Sequence, residues 1–474
     1  MNRPFDEAKY NRLLDGLEVV ELKLSEVESG IRIDAEMYQK HFVEAEALIR
    51  QKGFCTLEDA TDSVKKGIFD INSDCYTDSG VPFVRISNLK NMVTDESDVI
   101  FIPESEHQKN IDTALRKNDV ILSKTAYPAA SLVTFSECNA SQDTVAIRLR
   151  QNSKINSHYL VTFLNTKYGL ALMRRWFTGN IQMHLNLTDC KSLPLPILSF
   201  DFQGQIKNIF EASISKTSQS KALYAEAENL LLAELGLHDW QPSQEQIAVK
   251  SFKESFLNTG RLDAEYYQAK YQTMMALLGR SGKQICDVTE LAKDRFDPSR
   301  VDSFAYIEIG NLSGDGSTES ETLSAADAPS RAQWIVQTGD VITSTVRPIR
   351  RLSALVEKEQ RGFVCSSGFA VLRPTNIAAE LLLVFLRAPI ICEILDLHTT
   401  ASMYPAISTD DLMAIPIPEF SSHLAVAVIE KITQSRTAKQ ESKHLLDLAK
   451  RGVEMAIEQD EATAMQWMEA QWQN

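Results

Sequence analysis

Two hydrophobic periods alternate along this chain. Where β-branched and aromatic residues take every second position, as in PFVRISNLKN (82–91), DVILS (119–123), AYIEIGNLSG (305–314) and DVITS (340–344), the pattern predicts strands. Helical spacing predicts one helix near 156–176 and another near 377–396. It runs much longer from Phe202 through Ile206, Ile209, Phe210, Ile214, Leu223, Leu230 and Leu231 to Leu235, with Gly236 as the stop. A second long run starts at Ser421 and passes through Leu424, Val428, Ile432, Leu445, Leu446, Leu448, Val453 and Ile457. A helix of 34 residues extends about 50 Å at 1.5 Å per residue, and its apolar stripe needs cover. Packing on the adjacent β-rich segment, or a break into a hairpin near 216–221, would provide it. So would the other long helix, and an antiparallel coiled pair is the arrangement expected.

The predicted elements come twice, in one order. RIDAEMYQKHF (32–42) returns as RLDAEYYQAKY (261–271), and the two strand patterns ending in Asn88-Leu89 and Asn311-Leu312 correspond. LRKNDVILSK (115–124) matches VQTGDVITST (336–345), SQDTVAIRLR (141–150) matches CSSGFAVLRP (365–374), and YLVTFLNT (159–166) matches LLLVFLRA (381–388). LTDCKSLPLPIL (187–198) matches TDDLMAIPIPEF (409–420), each with a Pro-x-Pro, and Pro194 and Pro416 lie 222 residues apart. Six matched stations in order indicate a duplication. Proline neither continues a strand ladder nor sits inside a helix, so each Pro-x-Pro marks the handover to a long helix. The fold expected is α+β: a β-rich mixed domain over 1–200, a spacer helix over 201–237, a second β-rich domain over 238–420 and a C-terminal spacer helix over 421–474.

Length agrees, since 474 residues exceed what one core fills. No apolar run spans a bilayer and MNRPFDEAKYNRLLDG lacks the core of a signal peptide, which predicts a soluble, non-exported chain without membrane partners. Seven cysteines without a C-x-x-C pair predict reduced thiols and a cytoplasmic location. The net charge of −15 argues against nucleic acid, but it is unevenly placed. Residues 1–60 carry 8 Lys/Arg against 13 Asp/Glu, whereas 144–200 carry 7 against 1, and 421–474 carry 6 against 8.

Catalytic motifs are missing. The sequence has no G-x-G-x-x-G, P-loop, H-E-x-x-H, G-x-S-x-G or paired Cys/His spacing, and no Asn/Asp-Pro-Pro-aromatic tetrapeptide of the amino-methyltransferase kind. Gly314-Asp315-Gly316 reads as a turn, and Ser366 and Ser367 have no paired base. A chain with no catalytic site, metal or cofactor of its own is expected.

The tandem layout resembles the specificity subunit of type I restriction-modification systems over essentially the whole length. The residues that carry it are GVPFVRISNLKN, the Asp-Val-Ile strand with its polar loop (DVILSKTAYPA, DVITSTVRPIRR), SQDTVAIRL and CSSGFAVLRP, the Pro-x-Pro exits and the RxDAEYY opening. Two departures stand out: the family's Pro-Pro-Leu with following Glu-Gln is here LPLPILSFDFQGQ and IPIPEFSSHL, and the chain is acidic. The resemblance implies that each β-rich unit is a target recognition domain reading one half of an interrupted site in double-stranded DNA. It implies that the helices dock modification methyltransferase subunits, which supply S-adenosylmethionine, and that restriction or translocase subunits join them in phage defence.

Under that resemblance the loop TSTVRPIRR offers Arg347, Arg350 and Arg351, suited to guanine edges or phosphates, and its counterpart offers Lys124, Thr125 and Tyr127. Before the first Pro-x-Pro stand Arg174 and Arg175 for phosphate and Asn180, Gln182 and His184 for base edges; before the second stand Thr399, Thr400, Ser402 and Tyr404. In both places the alternative is structural, with Trp176, Phe177 and Met183 as core and the polar residues satisfying turns. Asn88 and Asn311 read as turn residues. Ile206, Phe210, Val428 and Ile432 are the helix positions expected to support partner binding. A rival from another class is a tandem-repeat scaffold that binds only proteins through its acidic helices.

Overall fold

The computed structural model describes residues 6–17, 20–23, 35–90, 92–96, 98–179, 183–238, 247–400 and 403–472. It divides into two compact units, 1–216 with 440–474, and 217–439. Both long helices therefore change unit near their middles, where the sequence had placed domain ends at their starts. The C-terminal segment belongs with the first unit because antiparallel pairing returns it to the beginning of the first long helix.

Each unit is mixed α+β, as the two periods predict. In the first, one sheet runs Ile100–Ile102, Val81–Val84, Glu137–Ala140, Leu115–Arg116, and its inner pair is parallel. The other runs Thr61–Lys66, Thr144–Leu149, Val120–Ser123, Ala130–Leu132, then Val93–Thr94 and Leu89–Lys90. The second unit repeats the order: Glu321–Ser324, Ser303–Ile307, Val364–Ser366, Ala332–Ile335, with the same parallel pair, and Thr289–Leu291, Phe369–Pro374, Val341–Ser344, Ser353–Leu355. The matched sequence stations thus fall on matched strands.

The Asp-Val-Ile strand is fixed alike in both. Asp119 and Asp340 are buried, and each receives both a backbone N–H (Arg116, Gln337; 2.8 Å) and an arginine fork from the neighbouring strand, Arg148 and Arg373. The residue before each aspartate has positive φ, Asn118 at 72° and Gly339 at 87°, a conformation only Gly and Asn adopt cheaply. Asn88 and Asn311 cap their own turns, accepting from the N–H of Arg85 and Glu308 at 2.9 and 2.8 Å. Gly314 accepts from the buried Arg387, so the Gly-Asp-Gly loop is a tied-down turn.

The helices predicted near 156–176 and 377–396 are each two: Ser157–Leu164 with Lys167–Trp176, and Ala379–Arg387 with Pro389–Leu397. Thr166 caps the second in one unit and Pro389 opens it in the other, so the chain turns where helical periodicity continues. Each Pro-x-Pro is an edge segment. Leu193 accepts from the Leu57 N–H and the Ile197 N–H donates to Gly53, both at 3.0 Å, so Pro194 and Pro196 face away from the partner strand and need no N–H. Ile415 and Ile417 do the same with Ile285 and Lys283.

The long helices are Phe200–Glu234 and Ser422–Glu458, unbroken near 216–221. Within the first unit Ser213 bonds Ser442 at 2.8 Å and Lys216 pairs with Glu441 at 2.5 Å; within the second Ser220 bonds Ser435 at 3.1 Å and Lys431 pairs with Glu226 at 2.6 Å. These partners run in opposite chain directions, the antiparallel pairing expected. The C-terminal spacer is shorter than 421–474, because Asp460 caps a separate helix, Glu461–Trp472. That helix folds back onto Gly452, where a Cβ would collide with the Met468 sulfur. No helix among the described residues is long and apolar enough to cross a membrane.

Ile206, Phe210, Val428 and Ile432 are all buried, the first two in one unit's core and the others in the other's. Side chains without exposed surface cannot touch a docking protein. Their expected partner-binding role is corrected to a structural one, holding the paired helices.

Candidate nucleic-acid interface

Two segments that lie about 60 residues apart in sequence meet in each unit. The segment before Pro-x-Pro forms a short hairpin, Thr178 opposite His184 in the first unit and Thr400 opposite Ala406 in the second. The outer limb then bridges to the loop after the Asp-Val-Ile strand, Thr125 to His184 and Val346 to Ala406. The Leu185 N–H donates to Lys124 at 2.8 Å, and the Ile407 N–H to Thr345 at 2.9 Å. Strand-end serines fix the loops from below: the Ser123 hydroxyl donates to the carbonyl of Thr125 at 2.8 Å, and that of Ser344 to Val346 at 2.9 Å. Ala126 and Arg347 occupy the same left-handed position, at φ 66° and 50°. These bonds of the scaffold recur in both units, while the residues it presents differ.

In the first unit Lys124 is half-buried and, among the described residues, makes no ion pair. Burial, and then the charge of Lys66, hold its ammonium below the usual lysine value. Tyr127 is exposed. Thr125, expected to read DNA, is buried, because its backbone is the strand partner of His184. His184 is half-buried with Nδ1 unbonded. Arg174 is exposed on the last turn of its helix. Arg175 points the other way: it is buried, donating to the Met37 carbonyl at 3.0 Å and to Glu46. A guanidinium so engaged is not offered to phosphate, and the expectation for it is corrected. Asn180 and Gln182 lie outside the described residues, as does Ser402.

In the second unit Arg347 is exposed, with its guanidinium 5.3 Å from the ring centre of Tyr404 and bonded to the Met403 carbonyl at 3.2 Å. Arg350 is exposed, as are Met403 and Tyr404. Arg351 is a structural residue instead: Nε donates to the Arg387 carbonyl at 2.7 Å and Nη2 to Glu228 at 2.8 Å. Thr399 turns its hydroxyl onto the Asp396 carbonyl at 2.7 Å, while Thr400 is exposed at the hairpin base. The result is one cationic and aromatic surface per unit, built from two stretches read separately in the sequence. The near-equal offsets of Thr125 to Val346 and of His184 to Ala406, 221 and 222 residues, place both stretches in the duplicated frame, while their meeting is a matter of tertiary packing.

No family model matches the chain, and no curated protein matches it. Among solved structures it is similar to a type I restriction-modification system S subunit from M. genitalium, at 12% identity over 84% of this chain and 93% of that one, with a TM-score of 0.36. The HsdS subunit from Thermoanaerobacter tengcongensis matches at 15% identity over 86% and 96%, with a TM-score of 0.28. The type IIG restriction endonuclease BpuSI matches 36% of this chain and 28% of its own, at 12% identity and a TM-score of 0.29. Over most of its length, the chain is similar to S subunits of type I restriction-modification systems.

Proposed function

We propose that this chain is the DNA-specificity subunit of a type I-like restriction-modification system, a non-catalytic cytoplasmic protein that reads a bipartite duplex site. One observation carries the proposal. The loop and hairpin are joined in both units by the same bridge, the same backbone hydrogen bond and the same strand-end serine, yet they present Lys124, Tyr127 and His184 in one and Arg347, Arg350 and Tyr404 in the other. A repeated frame with unlike exposed residues suits an asymmetric two-part site, in which cations hold phosphate and polar or aromatic groups meet base edges. Overall acidity does not oppose this, since short-range contact is set by the local surface and distant charges are screened within about 10 Å at 0.1 M salt.

The helices, in this reading, dock modification methyltransferase subunits through their exposed faces, with restriction or translocase subunits joining. Methylation chemistry and S-adenosylmethionine belong to those partners. The test is selection: the chain, co-expressed with a modification subunit from the same source, is used to enrich duplexes from a randomised pool. Recovery of two fixed half-sites separated by a constant unspecified gap is expected. A pool that stays random, or S-adenosylmethionine bound by the isolated chain, would overturn the proposal.

A further inference from the structure

A third contact element of the first unit lies beside Lys124. The strands Thr61–Lys66 and Val120–Ser123 flank Thr144–Leu149 on either side and leave the sheet at the same end. Lys66 is opposite Val145 and Ser123 opposite Thr144; the Gly67 N–H donates to the Thr144 carbonyl at 3.2 Å and the Lys124 N–H to Asp143 at 2.8 Å. Lys66 and Lys124 are therefore neighbours across the start of one strand, and among the described residues neither makes an ion pair. The charge of Lys66 acts on the Lys124 ammonium more strongly than the nearby Asp143 carboxylate does, and two like charges so placed repel each other and attract an anion.

Lys66 has one other neighbour. Its Nζ lies 4.6 Å from the ring centre of Phe69, which is 72% exposed. An aromatic ring left in water is informative here because the duplication supplies its control. Lys66-x-x-Phe69-Asp70 recurs as Lys293-x-x-Phe296-Asp297. Phe296 is half-buried, packed on Phe304 with ring centres 4.5 Å apart. In the first unit the strand position matching Phe304 is Val81, too small to offer such a ring. The same residue in the same frame is thus packed inward in one unit and presented outward in the other, beside Lys66.

We propose that Lys66, Lys124 and Phe69 form a duplex-DNA contact in the first unit, the two ammonium groups holding backbone phosphate and the Phe69 ring lying against the adjacent sugar-base surface. The proposal rests on the DNA-reading function above and adds residues to it. Charge complementarity selects the occupant: a protein segment that covered Phe69 would have to bring carboxylates to two lysines, whereas a phosphate backbone carries the opposite charge itself. The element continues into the loop and hairpin, since Lys124 is bonded through its backbone to Leu185.

The test uses the purified full chain and a labelled 40-base-pair duplex of mixed sequence, titrated between 50 and 200 mM salt. Lys66→Ala and Lys124→Ala should each lower the salt slope by about one. Phe69→Ala should weaken binding about fivefold at fixed salt with the slope unchanged, a modest apolar and stacking loss. Phe296→Ala, the control, should leave DNA affinity unaltered and lower the urea midpoint instead. Wild-type affinity and slope in all three first-unit variants would overturn this contact while leaving the DNA reading intact. A wild-type chain that fails to bind the duplex even at 50 mM salt would overturn both. Loss of modification-subunit binding by Phe69→Ala, with duplex binding unchanged, would make Phe69 a protein contact and also overturn the proposal.

Discussion

Arg373 lays its guanidinium along both oxygens of Asp340, Nε to Oδ1 at 2.9 Å and Nη2 to Oδ2 at 3.1 Å. The carboxylate is 1% exposed, whereas the arginine side chain keeps 32% of its surface. The asymmetry predicts which deletion is worse. Arg373→Ala strands a buried carboxylate, while Asp340→Ala leaves a guanidinium that water can reach. The first should destabilise by about 3 kcal/mol and the second by about 2, partly from the orphaned Gln337 N–H. Arg148→Ala and Asp119→Ala should rank the same way in the first unit, read by urea unfolding.

Ile206 and Val428 are fully buried beneath the paired helices. Ile206→Asp or Val428→Asp places an unpaired charge in a core and should cost more than about 4 kcal/mol. Loss of the folded chain is expected in circular dichroism, and partner binding should fall with it. An exposed helix substitution such as Lys207→Glu should leave folding intact, so any effect it has on co-purification reports docking itself.

His158 stands edge-on to Phe210 at 5.4 Å, and burial holds its pKa below the ordinary value of 6.5 against the weaker pull of Glu211. The unfolded chain therefore takes up this proton more readily than the folded one. Stability contributed by the neutral ring is present above pH 6.5 and declines as pH falls from there towards the folded pKa. His398 is displaced in the same direction, again by burial. Urea midpoints measured between pH 7.5 and 5.5 should fall on acidification, and His158→Phe should flatten part of that slope.

Arg347 and Arg350 are presented to solvent, whereas Arg351 is bound to Glu228. Arg347→Ala and Arg350→Ala should change only one half of the recognised site. A base-reading arginine should relax preference there by about 1 to 3 kcal/mol, and a phosphate-holding one should weaken all sequences alike. Arg351→Ala should instead lower stability by about 1 to 2 kcal/mol. Binding of the assembled complex to duplexes mutated in either half, repeated at several salt concentrations, separates the outcomes; unchanged affinity, salt slope and preference in the Arg347 and Arg350 variants would make the loop a bystander.

Gly452 lets the C-terminal helix close, since a Cβ there meets the Met468 side chain. Gly452→Ala should lower the unfolding free energy by about 1 kcal/mol, read by urea unfolding, despite its better helix propensity, and Met468→Ala in the same chain should recover part of the loss.

Much of the fold was legible because it is written twice. Alternation and its repetition predicted α+β units, the strand pairs that correspond, and the long helices, since a buried face imposes its period on the sequence wherever it occurs. The turns at Thr166 and Ala388 were invisible, because helical periodicity continues across them while a cap and a proline redirect the chain. Arg174 and Arg175 show the limit at the site. Adjacent in sequence and identical in chemistry, they project about 100° apart on a helix, one into water and the other onto Glu46. Likewise Arg350 and Arg351 differ only in what stands beside them. Residue type and order determined which groups this protein possesses; which of them face outward, and the joining of loop to hairpin, were decided by packing among residues far apart in the chain, which no local pattern encodes.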